Sequence, residues 1–166
     1  MSEQIKLRRG RAEDAKWAAD LARQVFAGVA VDYYIEQYFG SINGTHWDDR
    51  KAEQIRAEVA ACPEAVVIAE RDGEFVGFVT TAYDQATRIG RIPNLAVKAS
   101  EQGRGVGKKL MQAAYELLTS QGATHLQIET LESNTRGMSF YPKLGFREIT
   151  RKIYYFMEVE QWQPPD

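Results

Sequence analysis

Scarcity narrows the reading of this chain. It has one cysteine, Cys62, in 166 residues, which excludes an internal disulfide framework and a multi-cysteine metal site. Cys62 precedes Pro63 between two expected elements and reads as a boundary residue, because a nucleophile would want a base nearby that the sequence does not supply. Two isolated histidines, His46 and His125, indicate no metal. No apolar run approaches the roughly 20 residues of a membrane span, and the charged N-terminus has no signal-peptide core. A cytoplasmic location without membrane contact is expected. Excess charge is also missing: 21 Lys and Arg against 23 Asp and Glu give a net charge of -2, which argues against general nucleic-acid affinity. Repeats, low-complexity tracts and linkers are absent, and 166 residues with 44% hydrophobic content fit a single domain, residues 1–166, with a substantial core.

What is present alternates between strand and helix patterns. Ile5 to Arg9 reads as an opening strand ended by Gly10, and Ala12 to Phe26 as a helix with Glu13 and Asp14 in its first turn. Val29 to Trp47 crowds Tyr33, Tyr34, Tyr38, Phe39 and Trp47 among Gly40, Asn43 and Gly44. Such a cluster lines a pocket for an amine, since aromatic faces attract cations, or else is core. Tyr33, Tyr34 and His46 are the candidate acceptor contacts here. Asp48 to Ala61 resumes helix periodicity. Between Ala27 and Ala61, Asp32, Glu36, Asp48, Asp49, Glu53 and Glu58 outnumber Arg50, Lys51 and Arg56; the surplus would draw a cationic acceptor, or is a solvated face.

Ala65 to Arg71 and Phe75 to Tyr83 form a hairpin joined at Asp72-Gly73, a dipeptide suited to positive φ. Arg88 to Val97 is a third strand. Pro93 within it cannot donate to a ladder, so the strand is expected to bulge or splay there and free backbone groups for a ligand, or to lie at an edge. A helix from Gly105 to Gln121 and a strand from His125 to Leu131 follow, implying a parallel pair. A short helix runs from Ser133 or Asn134 to Leu144, and Phe146 to Thr150 and Tyr154 to Val159 are expected to finish the sheet.

The chemistry centres on Gln102-Gly103-Arg104-Gly105-Val106-Gly107, between the apolar strand end Leu95-Ala96-Val97 and a helix. Strand, glycine loop and helix make an anion cradle: glycines let the backbone turn with its N–H groups exposed, and the helix start adds unpaired donors and a positive dipole end. A P-loop would need a glycine at Gln102 and a hydroxyl residue at Lys109. A dinucleotide fingerprint would need glycine at Lys108.

The pattern that fits is Gln102-x-x-Gly105-x-Gly107, which resembles the acyl-CoA pyrophosphate loop of the GNAT superfamily of N-acetyltransferases. Asn134, then Tyr141, then Leu144-Gly145-Phe146 resembles the second half of that signature. The resemblance covers about Leu95 to Phe146. It implies an α+β, GNAT-like acyl-CoA N-acyltransferase fold: a mixed, mostly antiparallel sheet with one parallel, splayed strand pair, flanked by helices. Acetyl-CoA is the implied cosubstrate, with no metal. By the resemblance the backbone of Leu95, Ala96 and Val97 pairs with the pantetheine arm, and Gln102, Gly103, Arg104, Gly105, Val106 and Gly107 hold the pyrophosphate with Lys108 and Lys109 at hand. Asn134 contacts the cofactor, Tyr141 is the proton donor to the departing thiolate, and Glu129 is the base, acting directly or through water, or else a structural carboxylate. The chain departs from the family pattern at Gly137, where alanine is common, and at Pro142, where a charged helix former is usual. Both weaken helix propensity around Tyr141.

The implied reaction is acetyl transfer to a primary amine by direct attack within a ternary complex. The acceptor is a small cationic amine or a protein N-terminus or lysine, and the aromatic C-terminal strand offers an edge for a homodimer. Two readings stay open beside it: a CoA-binding regulatory module without catalysis, and a protein that holds another phosphate ligand.

Overall fold

The structure, a computed structural model, describes residues 4–165. Five strands lie side by side in sequence order: β1 (Lys6–Arg9), β2 (Val66–Arg71), β3 (Glu74–Asp84), β4 (Ile89–Val97) and β5 (His125–Ile128). Strands β1 to β4 are antiparallel neighbours, and β4 and β5 are parallel. The period-two alternation of β2 divides the core. Val66 and Ile68 face α1 (Ala15–Val25) and α3 (Trp47–Ala61), while Val67 and Ala69 face α4 (Val106–Ser120). Leu21, Ile55, Val59 and Phe78 are fully buried on the first side and Leu110, Ala114 and Leu118 on the second. Each large side chain so buried stabilises the fold by about 1.5–3 kcal/mol.

The hairpin is as the sequence implies, with Asp72 at φ 53° and Gly73 at φ 80°. Pro93 also acts as expected. Thr80 pairs with Asn94 and Ala82 with Arg91, so the β3–β4 register shifts across Ile92 and Pro93. On the other side of β4, pairing with β5 runs only from Ile89↔His125 to Ile92↔Ile128. Past the proline the two parallel strands part, leaving Asn94 to Val97 without a β5 partner.

Three expectations are corrected. The aromatic segment after α1 contains a further helix, α2 (Val31–Phe39), ended by Gly40 at φ 73°, so three helices precede β2. β5 is the edge of the sheet and ends at Ile128, so Glu129 is an exposed residue beyond an edge strand and not a buried carboxylate on a central one. The stretches Phe146 to Thr150 and Tyr154 to Val159 form no strand, because the main chain of residues 147–157 makes no backbone hydrogen bond among the described residues. Among the described residues no helix is long and apolar enough to cross a membrane.

Candidate active site

The glycine loop follows β4 through a 3-10 turn, Ala99–Glu101. Gly103 (φ 81°) and Gly105 (φ 84°) take the left-handed conformation that favours glycine, and a Cβ on either would meet nothing within 4 Å. The space above the loop is therefore open to a ligand. Lys109 N–H donates to Gly105 O at 3.1 Å and is the first amide of α4 to find an intrahelical acceptor. The amides of Val106, Gly107 and Lys108 precede it at the positive end of the helix. Lys108 and Lys109 are exposed on the same turn.

Side chains from distant elements hold this loop in place. Gln102 Nε2 donates to Val97 O at 3.1 Å, and its Oε1 accepts from Arg136. Glu101 is buried between Arg71 Nε and Arg104 Nη1, each at 3.0 Å. Arg104, expected to face phosphate, is thus tied to Glu101 as well. The sequence does not single out Arg71, Glu101 or Arg136. A buried acid directly before Gln102 was the one legible signal; Arg71, thirty positions away at the end of β2, gave none.

Beneath the opening of the splay, Asn94 is buried in a closed polar cluster. Its Oδ1 accepts from Lys51 Nζ, and its Nδ2 donates to Glu58 Oε2 and Thr80 Oγ1, all at 3.0 Å. Burial lowers the Lys51 pKa. The cluster fixes β4 where its register shifts.

Helix α5 (Thr135–Lys143) carries the second motif. Asn134 caps it: Oδ1 accepts from Gly137 N–H at 3.0 Å, and Nδ2 donates to Thr130 Oγ1 at 2.9 Å. Gly137 is closely packed here, and any larger residue must displace its neighbours. A Cβ on it would lie 2.5 Å from Asn134 Nδ2 and 3.0 Å from Tyr141 Cε2. Pro142 sits in the last turn, where its missing N–H does not prevent closure, since Leu144 N–H reaches Tyr141 O at 3.0 Å and Gly145 N–H reaches Pro142 O at 3.1 Å. Tyr141 therefore stays on a helix, its ring between Phe140 (5.5 Å) and Phe146 (6.2 Å). Burial raises its pKa, and its hydroxyl makes no hydrogen bond among the described residues.

The α2 side is tied to this region through one carbonyl. Gly28 O accepts from Ser133 Oγ at 2.8 Å and from Tyr34 OH at 2.9 Å. Tyr34 is thereby brought beside the residue that precedes Asn134. Tyr33 packs edge-on against Tyr34 and Trp47. His46 is exposed and bonded to Glu36 Oε1 at 3.0 Å, which raises its pKa, and it stands at the start of α3. A cavity of about 280 Å³ opens between α2, at Val31, Tyr34, Ile35, Tyr38 and Phe39, and residues 154–156. The acidic surplus is largely matched internally: Asp32 pairs with Arg50, Glu36 with His46 and Arg50, Asp49 with Arg23, and Glu53 with Arg56.

Glu129 lies apart from burial altogether, with Gln127 Nε2 at 3.2 Å and Lys152 Nζ at 3.3 Å. Cys62 is exposed at the end of α3, and its bond to Glu64 raises the thiol pKa, which suits a boundary residue.

Comparison with known proteins follows the same lines. The chain is 32% identical over 146 residues to the mycothiol acetyltransferase of Streptomyces avermitilis, a match covering 88% of this chain and 43% of that protein, so it spans less than half the length of this relative. It is 40% identical over 78 residues to the [ribosomal protein bS18]-alanine N-acetyltransferase of Haemophilus ducreyi, covering 46% and 51% of the two chains. The PaiA N-acetyltransferase of Thermoplasma acidophilum, solved with coenzyme A, shares the fold at a TM-score of 0.69 and 22% identity, over 87% of this chain and 90% of that one. The acetyltransferase (GNAT) family model matches residues 29–146, which contain α2, the splayed strands, the glycine loop and Tyr141. With the sheet, the parting of β4 from β5 and both motifs in place, the chain belongs to the acetyltransferase (GNAT) family.

Proposed function

We propose that this chain transfers an acetyl group from acetyl-CoA to a primary amine by direct attack, acting as one domain. The observation that carries the reading is the coincidence of two features on one strand. β4 parts from β5 after Ile92, and the same strand leads into a loop whose open space and unpaired amides suit a pyrophosphate. In this reading the backbone of Leu95, Ala96 and Val97 receives the pantetheine arm, and Gly103 to Lys108 receive the phosphates with Lys109 beside them. Asn134 keeps one hydrogen and one lone pair beyond its cap bonds for the cosubstrate.

Acetyl-CoA supplies an acetyl group activated as a thioester. The acceptor nitrogen forms a bond to the acetyl carbon as the carbon–sulfur bond breaks. Tyr141 passes its phenolic proton to the leaving sulfur, and its burial keeps that proton on the oxygen at neutral pH. Glu129, at the solvent rim past β5, takes the proton released by the amine, directly or through water. An N–H at the end of β4 stabilises the carbonyl oxygen as it gains charge.

The acceptor enters from the α2 side, through the cleft between Tyr34, Tyr38 and Tyr154. Because Asp32 and Glu36 are already paired, aromatic faces rather than free carboxylates select a cation there. This favours a small cationic amine, while a protein N-terminus would extend out of the open side of the same cleft.

Thermal unfolding with acetyl-CoA, CoA, ATP and NAD side by side tests the reading first. Acetyl-CoA at about 100 times its Kd stabilises by about 2.7 kcal/mol, or roughly 5–10 °C at this chain length. An amine panel with thiol release as the readout follows. A shift with ATP or NAD in preference to CoA would overturn the cosubstrate, and a CoA shift without turnover of any amine would overturn catalysis.

A further inference from the structure

The proposed reaction gives no part to the half-buried amine of Lys51. From α3 its Nζ reaches across to β4 and, among the described residues, contacts neutral groups: Asn94 Oδ1 at 3.0 Å, Gln54 Oε1 at 3.3 Å and the Phe26 ring, 5.0 Å from its centroid. The carboxylate beside it, Glu58, accepts from Asn94 Nδ2 instead. Asn94 is also where β4 has lost β5, since their pairing ends at Ile92↔Ile128. A linear cosubstrate held in the place of β5 has a fixed direction. Its phosphates belong to the glycine loop, which follows Val97, so its arm runs back along Val97, Ala96 and Leu95 and its acyl end comes toward Asn94. The amine at that end is Lys51. Lys98, Lys108 and Lys109 stand at the loop end of β4, and Lys152 is drawn to Glu129 at 3.3 Å.

We propose that Lys51 is a self-acetylation site: with no acceptor in the cleft, the chain transfers the acetyl group to Lys51 Nζ, a reaction that rests on the proposed function. Neutral Nζ bonds to the acetyl carbon as the carbon–sulfur bond breaks. Nζ gives up one proton and the sulfur gains one, so the products are an acetamide on Lys51 and the CoA thiol. The site suits this in three ways. An amine attacks only when neutral, and burial lowers the Lys51 pKa although Glu58 and Asp32 pull it up, whereas the bond to Glu129 raises that of Lys152. The four-carbon stem is flexible, so Nζ can leave Asn94 for a group one strand spacing, about 4.8 Å, from β4. The acetamide keeps one N–H for Asn94 Oδ1 and carries no charge among neutral partners.

The test is to incubate the full chain with acetyl-CoA and no added amine, and to read the product by intact mass and peptide sequencing. One acetyl group appears, at Lys51, at a rate per molecule that dilution of the protein leaves unchanged. Acetyl phosphate, which reacts with amines without using a CoA site, marks exposed Lys108 and Lys109 ahead of Lys51. Lys51→Arg keeps a cation and donors for Asn94 but has no nucleophilic amine, so it loses the acetyl increment and keeps the melting transition with its acetyl-CoA shift. The acetyl-CoA shift and thiol release with the amine panel are measured on the same preparation. A shift with Lys51 unmodified overturns self-acetylation, and amine turnover then leaves the proposed function standing. No shift at all overturns both. Acetyl groups spread over the exposed lysines in place of Lys51, or a rate per molecule that falls on dilution, also overturns the assignment.

Discussion

Replacing Gly137 by alanine, the residue the GNAT pattern favours, should separate stability from activity. In the first turn of α5 the new methyl gains up to about 1 kcal/mol of helix propensity over glycine. It would also sit 2.5 Å from Asn134 Nδ2 and 3.0 Å from Asn134 Cγ, so the asparagine side chain must swing away. That motion gives up the cap bond from Gly137 N–H, worth about 1 kcal/mol, so the two terms nearly cancel. The melting temperature should stay within about 4 °C of the parent. Activity has no such compensation. The displaced Asn134 amide loses its proposed contact to the cosubstrate, a loss of about 0.5–1.5 kcal/mol, or roughly 2-fold to 12-fold in acetyl-CoA affinity. Tyr141 Cε2, 3.0 Å from the methyl, is pushed as well. Small misplacements of reacting groups cost up to about 100-fold, so kcat should fall by at least about tenfold. Differential scanning fluorimetry, acetyl-CoA titration and steady-state thiol release read the three quantities. Parental kcat and affinity in the alanine variant would refute the account of the Asn134–Gly137–Tyr141 packing.

The other expectations concern the acid, the loop and the fold. Tyr141→Phe should lower kcat by roughly 100-fold with little change in melting temperature or acetyl-CoA affinity; stopped-flow thiol release against a scanning melt checks it, and an unchanged kcat removes Tyr141 as donor. Since burial raises the Tyr141 pKa above the ordinary phenol value of about 10, kcat should show no alkaline loss below about pH 10, and a fall near pH 8 in kcat would point to another acid. Glu101→Ala leaves Arg71 and Arg104 without their shared carboxylate, so urea unfolding should show a loss of about 3 kcal/mol together with weakened acetyl-CoA binding. Asp14 is buried and accepts from Nη1 and Nη2 of Arg8, each at 2.8 Å, and these bonds hold its pKa below the ordinary range. A depressed carboxylate stabilises the fold above its unfolded pKa of about 3.9 and loses that contribution as pH falls through the lower folded value. The melting temperature should therefore drop steeply only at acid pH, and Asp14→Asn, less stable at neutral pH, should lose less on acidification.

The glycine loop, the α5 cap and the break in β4 were legible because their signals are local. Gly103 and Gly105 are needed for a backbone conformation, Asn134 caps its helix through the amide of Gly137, and Pro93 breaks a ladder at its own position; each acts within a few residues of where it is written. The contacts around α2 and behind the loop were not legible because they join residues far apart in the chain. Gly28 meets Ser133, Phe39 meets Phe156, and behind the loop Arg71 meets Glu101. Composition misled in the same way between Ala27 and Ala61, where an acidic surplus in sequence became Asp32–Arg50, Glu36–His46 and Asp49–Arg23 in space. Strand composition at the C-terminus was misleading about the ladder, since a strand exists only when another strand accepts it.

Pro93 shapes the opening on which the proposed reaction depends. The proline ends β4–β5 pairing on one side and shifts the β3 register on the other, so the opening it makes reaches from the glycine loop to the buried Asn94 cluster. Lys51 donates to Asn94 there, and burial lowers its pKa. In the proposed reaction a cationic acceptor held at the aromatic cleft beside α2 would give up its proton before its nitrogen bonds to the acetyl carbon. Glu129 is exposed past β5, so as the proposed base it would take that proton at the solvent surface. The proposed order is then deprotonation at the surface, attack in the opening, and transfer of the Tyr141 proton to sulfur.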